Sequence, residues 1–222
     1  IKSMSFVHLH THTEYSLLDG SNKIKEYVSR VKELGMTAAA ITDHGVMYGV
    51  IDFYKTCREA GINPVIGCEV YVSPGSRFDK EQGMKDDRYY HLVLLSENNT
   101  GYQNLMKIVS IGFTEGYYYK PRVDMEVLEK YHDGLICLSA CLAGIVPTYL
   151  KRGLYDEAKA EYEARRDAAF EELSKIPGIV CQKPAGAFYL TCKLPVDNIE
   201  DFLMFLLKEF DDNGETAMFA PA

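Results

Sequence analysis

Three histidines alternate with other residues near the start of the chain, in the segment HLHTHTEYSLLDG at residues 8–20. Side chains alternate between the two faces of a strand, so His8, His10 and His12 are expected to point the same way. Imidazoles on one face can bind one divalent metal ion or flank two, and Asp19 adds an oxygen ligand after a turn. A lone histidine on a strand usually packs in a core, but three in alternation are not easily explained by packing. The segment therefore predicts a metal site at a strand end.

Further residues with metal-binding side chains follow at or near the ends of predicted strands. They are His44, Glu69, His91 and Cys141. Glu69 lies inside an apolar strand, where a charge is costly unless it is paired or binds a metal ion. Taken alone, His44 is equally explained by a local Asp–His turn, and Cys141 is more typical of a buried small residue. Imidazole, carboxylate and thiolate together favour Zn²⁺, Mn²⁺ or Fe²⁺ over Mg²⁺ or Ca²⁺.

Apolar segments of strand length alternate with segments of helical periodicity along the first part of the chain. The predicted strands are residues 37–42, 65–72, 92–95 and 135–138, and the predicted helices are residues 24–34, 50–61 and 102–111 and one from 142. This alternation predicts parallel crossovers and an α/β sheet or barrel, in which functional residues lie at the carboxyl ends of strands. His91 does not follow that rule, because it precedes its strand.

The composition is that of a globular chain with a sizeable core. Of 222 residues, 47% are hydrophobic and 25% are charged. No apolar run reaches the roughly 20 residues of a membrane-spanning helix, and no signal peptide is expected. None of the six cysteines forms a Cys-x-x-Cys pair, so we expect free thiols and a reducing, cytoplasmic location. The net charge of −8 argues against strong nonspecific binding to DNA.

Six segments closely resemble the N-terminal polymerase-and-histidinol-phosphatase (PHP) domain of bacterial DNA polymerase III alpha subunits. They are HLHTHTEYSLLDG, ITDHGVMYG, GINPVIGCEVYV, YYHLVLL, GYYYKPRVD and LSACLAG, and they occur in the family's order. The resemblance runs from about Met4 to Ala160 without a visible gap. It implies a distorted (βα)7 barrel, truncated here because at least the last two barrel strands have no counterpart in the sequence.

The resemblance also implies a site and an activity. The matching ligand positions are His10, His12, Asp19, His44, Glu69, His91 and Cys141, with His8 a weaker member because related phosphoesterases often carry Asp there. The family binds two or three divalent ions and hydrolyses phosphoesters, in some polymerases as a 3′–5′ exonuclease. The resemblance implies that Asp19, His44 and Glu69 are catalytic, that DNA or a nucleotide phosphoester is the substrate, and that other replisome subunits are partners.

Two departures from the family bear on activity. The family's last ligands, an Asp and a His, come from an Asn-Asp-x-His-like motif, and no histidine follows His132 in this sequence. The catalytic aspartates of the polymerase palm have no counterpart either, so we do not expect this chain to polymerise DNA by itself. The sequence leaves two functions open: an impaired phosphoesterase, and a metal-binding scaffold without turnover.

From about residue 162 the chain resembles a different family. ARRDAAFEELSKIPGIVCQKPAGAFYL and DFLMFLLKEFDDNGETAMFAPA are similar to the small C-terminal domain of fold-type-I pyridoxal-phosphate aminotransferases. The predicted organisation is an incomplete PHP barrel over residues 1–160 and a small α+β fragment over 161–222, as in a chimera. The predicted elements there are helices at 156–175 and 197–210 and strands at 187–194 and 216–219. The family's cofactor lysine has no counterpart here, so we expect no pyridoxal phosphate, and an aminotransferase function is the weakest alternative.

The segment YYYKPR at residues 117–122 interleaves aromatic side chains with two cations. Its tyrosines could stack on bases, and Lys120 and Arg122 could contact a phosphate. A packed loop with exposed cations explains the same pattern equally well, so the segment leaves a nucleic-acid contact open.

Overall fold

The computed structural model describes residues 6–80, 89–183, 192–198, 201, 202 and 205. The chain divides into two compact units, Ile1–Ile145 and Val146–Ala222. This division lies before the predicted join at residues 160/161, which stays a prediction. Within the described ranges, no helix is both long enough and apolar enough to cross a membrane.

The first unit is a mixed α/β structure. Its helices are α1 (Ile24–Glu33), α2 (Val50–Ala60), α3 (Asn99–Thr114) and α4 (Met125–Tyr131), and α5 (Ile145–Lys151) begins at its last residue. Its strands are β1 (Ala38–Ile41), β2 (Asn63–Val72), β3 (Tyr90–Ser96), β4 (Tyr117–Tyr118), β5 (Lys120–Val123) and β6 (Leu135–Leu138). The predicted strands 37–42, 65–72, 92–95 and 135–138 and the predicted helices of this part are thereby confirmed. The short elements β4, β5 and α4 were not predicted from the sequence.

The histidine-rich segment at residues 8–12 is not a strand, contrary to the prediction. It runs beside β1 instead, because Ala40 N donates to His8 O at 3.2 Å and Thr42 N donates to Thr11 O at 2.9 Å. These isolated hydrogen bonds keep the segment extended without a continuous ladder. The alternation of side chains therefore holds only in part.

The sheet has the strand order β4-β5-β2-β3-β6, and β1 also pairs with β2. β1 and β5 run parallel to β2, but β3 runs antiparallel to β2 and to β6. The prediction of parallel crossovers is therefore wrong for β3. Because β3 is reversed, its first residues lie at the edge where β2 ends, and His91 pairs with Tyr71. The position of His91 at the start of its strand places it with the ends of the neighbouring strands.

Two hydrophobic clusters hold the elements of the first unit together. One joins α1, β1 and α2 around Val28, Ile41 and Phe53, all at most 1% exposed. The other joins β2 and β3 to α3 around Leu105 and Ile108, which are fully buried. Packed helices therefore support the strands β1, β2 and β3, at whose ends His44, Glu69 and His91 lie.

The second unit contains α6 (Tyr155–Ser174), β7 (Val180–Cys181) and β8 (Cys192–Lys193). α6 confirms the predicted helix at 156–175, and β8 falls within the predicted strand at 187–194. The rest of that strand from 187 to 191, most of the predicted helix 197–210 and the predicted strand 216–219 lie outside the described residues. β7 and β8 pair antiparallel, and Lys183 Nζ lies 2.9 Å from Asp167 Oδ1 of α6.

Arg77 ties the loop after β2 to the start of α4. Its Nη1 donates to both carboxylate oxygens of Asp124 at 3.1 Å, and its Nε donates to Glu115 Oε2 at 2.7 Å. Asp124 also caps α4 by accepting from Val127 N at 3.2 Å. Burial alone would raise the pKa of Asp124, but the hydrogen bonds from Arg77 and Val127 outweigh it and lower that pKa.

We predict that Asp124→Asn destabilises the protein at neutral pH but not in acid. The pKa of Asp124 is lower in the folded than in the unfolded chain, where it is about 3.9. Its ionised form therefore adds stability above about pH 4, and this stability is lost as the pH falls through the folded-state pKa. The free energy of unfolding in urea should fall by about 2 kcal/mol at pH 7, with a smaller difference from wild type at each step below pH 4. Glu126→Gln is the control, since the Glu126 side chain is 76% exposed. A pH-independent effect of Asp124→Asn would contradict the charge argument.

Candidate metal centre

Glu69 of β2 has a carboxylate with no solvent exposure, surrounded by four imidazoles. Its Oε2 lies 2.9 Å from His10 Nε2, 3.0 Å from His12 Nε2 and 3.2 Å from His44 Nδ1. Its Oε1 lies 2.7 Å from His91 Nδ1. Burial alone would raise the pKa of Glu69, but the hydrogen bonds from His10, His12 and His91 outweigh it and lower that pKa well below its usual range. Glu69 is therefore a buried anion with four imidazoles around its carboxylate.

The chain after β1 brings His44 to Glu69. Glu69 N donates to Asp43 O at 3.1 Å and Gly45 N donates to Glu69 O at 2.8 Å, so His44 lies directly beside Glu69. Gly45 has φ +66°, and a Cβ there would come within 2.7 Å of the Tyr71 ring. Glycine is required at this turn on both counts, because an L side chain would be strained and would clash.

His12 is held in one orientation by the backbone of Thr42, the residue that follows β1. Its Nδ1 lies 2.9 Å from Thr42 O, and a carbonyl only accepts, so Nδ1 carries a hydrogen and Nε2 faces Glu69. This is the way proteins commonly orient a metal-binding imidazole. Burial alone would lower the pKa of His12, but the hydrogen bond and charge of Glu69 outweigh it and raise that pKa.

His44 has a nitrogen that the described residues leave without a hydrogen bond. Its Nδ1 is buried and has no hydrogen-bond partner among them, although it lies 3.2 Å from Glu69 Oε2. Its Nε2 lies 3.0 Å from Asp19 Oδ2. Burial lowers the pKa of His44, and the nearby positive charge of His12 lowers it further. A buried, neutral imidazole nitrogen aimed at a carboxylate fits a metal ion between the two.

Two groups of ligand atoms share Glu69. His10, His12 and Glu69 form one, and His44, Glu69 and His91 form the other, and within each group all ligand atoms lie within 4.8 Å of one another. Nitrogen and carboxylate donors of this kind suit Zn²⁺, Mn²⁺ and Fe²⁺. The donor set and the buried Nδ1 of His44 therefore fit divalent ions, which these residues would hold.

The remaining sequence-predicted ligands lie at different distances from this core. Cys141 Sγ lies 3.7 Å from His91 Nδ1 and 3.8 Å from Glu69 Oε1, so it borders the second group. Asp19 belongs to neither group, but its Oδ2 lies 3.0 Å from His44 Nε2. His8 is exposed, contacts the Phe6 ring edge-on at 4.7 Å between centroids, and belongs to neither group.

The two cations of the segment 117–122 lie in different surroundings. Arg122 is 3% exposed, and its guanidinium donates to the carbonyls of Gly116, Arg77 and Asp79. The Arg122 side chain therefore joins β5 to the segment after β2 and is not available to a ligand. Lys120 lines a cleft instead, with its Nζ 5.3 Å from the centroid of the Tyr71 ring.

That cleft has a volume of about 500 Å³ and opens onto the second ligand group. Asp19, His44 and His91 line it from the site. Its aromatic lining consists of Tyr15, Tyr48, Tyr71, Tyr89, Phe113, Tyr117 and Tyr119. The arrangement places flat apolar surfaces and one cation beside the metal ligands.

Asp43 is a site residue that the sequence did not reveal. Its buried carboxylate accepts from Thr13 N at 2.5 Å, from Thr13 Oγ1 at 2.7 Å and from Ser16 Oγ at 2.7 Å. Ser16 Oγ in turn accepts from His44 N at 3.1 Å. A local Asp–His turn was one of two explanations that the sequence left open, but the partners of Asp43 are 27 to 30 residues away. Asp43 thus fastens the histidine-rich segment to the end of β1.

The profile of the PHP domain family matches residues 8–173 of the chain. The match therefore includes residues 161–173, which the sequence had assigned to the aminotransferase-like part. It gives no support to that resemblance, which stays a prediction for the tail.

Curated relatives are DNA polymerase III alpha subunits. The subunit from Treponema pallidum is 53% identical over 156 residues, which cover 70% of this chain and 13% of that protein. The subunit from Thermus aquaticus is 44% identical over 160 residues, which cover 71% of this chain and 13% of that protein. The chain thus spans about an eighth of the length of these relatives.

Solved structures resemble the chain only locally. A metal-dependent phosphoesterase from Bifidobacterium adolescentis has a TM-score of 0.34 and 18% identity, covering 47% of this chain and 32% of that one. An amidohydrolase from Chromobacterium violaceum has a TM-score of 0.35 and 23% identity, covering 48% and 33%. Likeness at this level identifies no function.

We predict that Asp43→Ala destabilises the metal-free protein by about 3 kcal/mol, because it leaves a buried N–H and two hydroxyls without their acceptor. Asp43→Asn should cost only about 1 kcal/mol, since the amide oxygen still accepts and the Thr13 hydroxyl can turn to accept from the amide nitrogen. The measurement is urea unfolding with a chelator present. Asp52→Ala is the control, since Asp52 is exposed and its carboxylate accepts from Tyr15 Oη at 3.2 Å. Equal losses from the Ala and Asn variants would show that hydrogen bonding is not what Asp43 provides.

Proposed function

Because the chain belongs to the PHP domain family, we propose that it binds two or three divalent metal ions around Glu69 and hydrolyses phosphoester bonds of DNA or nucleotides. The observation that carries this proposal is the buried Glu69 carboxylate with four imidazoles at 2.7 to 3.2 Å. A charged carboxylate is costly to bury, and this one together with the surrounding imidazole nitrogens would supply the ligands for divalent ions.

The ligand groups suggest how the ions are shared. His10, His12 and Glu69 would hold one ion, and Glu69 and His91, with Cys141 at the border, would hold a second. His44 can serve the second ion through Nδ1 or a third ion through Nε2 together with Asp19. A neutral imidazole offers one lone pair, so His44 does one or the other. Zn²⁺, Mn²⁺ and Fe²⁺ all suit this donor set.

Ions bound here would polarise a phosphate and lower the pKa of a coordinated water toward about 7. The chain's own residues supply the rest. Glu69 stays ionised at working pH and keeps the imidazoles in place. His44 Nε2 lies 3.0 Å from Asp19 Oδ2 at the cleft. With Nδ1 toward the second ion, Nε2 carries a hydrogen and donates it to Asp19. We therefore assign the Asp19 carboxylate, held by His44, to accept the proton that the attacking water loses. This retains Asp19, His44 and Glu69 as the catalytic residues.

The cleft supports a nucleotide or a DNA end as substrate. Aromatic rings stack on bases of any sequence, and a single cation can hold a phosphate. We assign that role to Lys120, which lines the cleft, and not to Arg122, because the Arg122 guanidinium is bound to backbone carbonyls. The relatives are polymerase subunits, so we propose a part in DNA replication, with 3′–5′ exonuclease action and contacts to other replisome subunits.

A metal-binding scaffold without turnover is the second candidate. No histidine follows His132, so the family's late His ligand has no counterpart in this sequence. For the fold, we keep the proposal of a truncated (βα)7 barrel over residues 1–160. The small α+β fragment, its aminotransferase-like origin and the chimera rest on sequence resemblance alone.

We predict that His12→Ala weakens binding of Zn²⁺ or Mn²⁺ at least about 10- to 100-fold, the loss typical of disturbing even an outer partner of a metal ligand. His8→Ala is the matched control, because His8 lies in the same segment but outside both ligand groups. Calorimetric titration and elemental analysis measure the effect. Equal losses in both variants, or none in His12→Ala, would remove His12 from the ligand set.

Turnover separates the two candidate functions. We expect the metal-loaded chain to shorten a single-stranded oligonucleotide from its 3′ end in the presence of Mn²⁺, and Glu69→Gln to slow this about 10²- to 10³-fold, as for the loss of one key active-site group. Two bound ions per chain without cleavage would identify the scaffold. Cleavage that survives Glu69→Gln would come from another site or a contaminant.

A further inference from the structure

The ribbon of β7 and β8 places two cysteines opposite each other. Cys181 and Cys192 are partners in the antiparallel pair, as are Val180 and Lys193. Opposite residues in an antiparallel pair have Cα atoms about 4.5 or 5.5 Å apart, which lies within the range of about 4.4–6.8 Å that a disulfide needs. The sulfur atoms lie 2.7 Å from each other. The two thiols can therefore be joined without a change in strand pairing.

The surroundings of this pair favour a reaction that can be reversed. Both cysteines are partly exposed, so small thiols and disulfides can reach them. Cys57 and Cys68 are buried, so such reagents do not reach them. The ribbon has two residues in each described strand, and a two-stranded ribbon alone is at best marginally stable in water. A covalent link at this point would hold the two strands together.

We propose that Cys181 and Cys192 are a reversible redox modification site, which closes to a cross-strand disulfide when the protein meets an oxidised low-molecular-weight disulfide such as oxidised glutathione. The site lies in the second unit and is independent of the metal centre and of the phosphoesterase proposal.

The exchange is balanced in two steps. One cysteine thiolate attacks a sulfur of oxidised glutathione, forming a mixed disulfide and releasing one glutathione thiolate. The other cysteine thiolate then attacks the protein sulfur of that mixed disulfide and releases the second glutathione. Two protein thiols are oxidised, one glutathione disulfide is reduced to two thiols, and the two protons leave with the glutathione. In a reducing compartment the equilibrium lies toward the open dithiol, so the bond reports oxidation.

Trypsin provides a direct test on the full chain. Residues 176–193 form one tryptic peptide with both cysteines, because Lys183 is followed by Pro184 and that bond is not cleaved. The protein is incubated with oxidised glutathione, and the remaining thiols are alkylated under denaturing conditions. The protein is then digested with trypsin, and the masses of the peptides are measured by mass spectrometry. We expect peptide 176–193 to lose two hydrogens and carry no alkyl group, and dithiothreitol to restore both alkylation sites.

A second peptide of the same digest and one variant serve as controls. Peptide 131–151 carries Cys137 and Cys141, which are both exposed, so its glutathione adducts show that the reagent is active. In Cys192→Ser, Cys181 should stop at the mixed disulfide with glutathione. If wild-type peptide 176–193 remains alkylated at both cysteines, or carries glutathione on each, while peptide 131–151 reacts, the proposal is wrong.

Discussion

A carboxylate without solvent exposure must be matched by donors or by cations, and the first unit is organised around this requirement at Glu69. Four elements of chain meet it: the segment before β1, the turn after β1, the start of β3 and the turn after β6. Each supplies a nitrogen or sulfur within 3.8 Å of a Glu69 oxygen. Unmatched, such a charge would cost several kcal/mol. The same requirement favours the binding of positive ions, because both protons on the imidazoles and metal ions would balance the negative charge of Glu69.

Strand direction decides which residues can take part. β3 is antiparallel to β2, so the first residues of β3 and the last residues of β2 lie at the same edge of the sheet. β6 runs against β3 and ends at that edge too, which delivers Cys141. A fully parallel sheet would carry His91 to the opposite edge. The reversal of one strand therefore allows residues from both a strand start and several strand ends to converge.

Residue type and spacing were enough to predict most of the ligand groups. His10, His12, His44, Glu69 and His91 were all predicted from the sequence, and the structure brings them together. Asp43 and the carbonyl of Thr42 were not, because their partners lie about 30 residues away and no local pattern records such contacts. The strands 37–42, 92–95 and 135–138 were predicted from apolar runs. An apolar run does not show the direction of its strand, so the antiparallel orientation of β3 could not be predicted. Arg122 illustrates the same limit, since its sequence context does not show that backbone carbonyls surround it.

His44 faces a different oxygen with each of its nitrogens, Glu69 at 3.2 Å and Asp19 at 3.0 Å. One ring with one lone pair cannot bind on both sides at the same time. Ions on the two sides of this ring would therefore compete, and their occupancies would be anticooperative. How many ions the protein carries would then depend on their concentration, because the position beside Asp19 can be filled only when the lone pair of His44 is on Nε2.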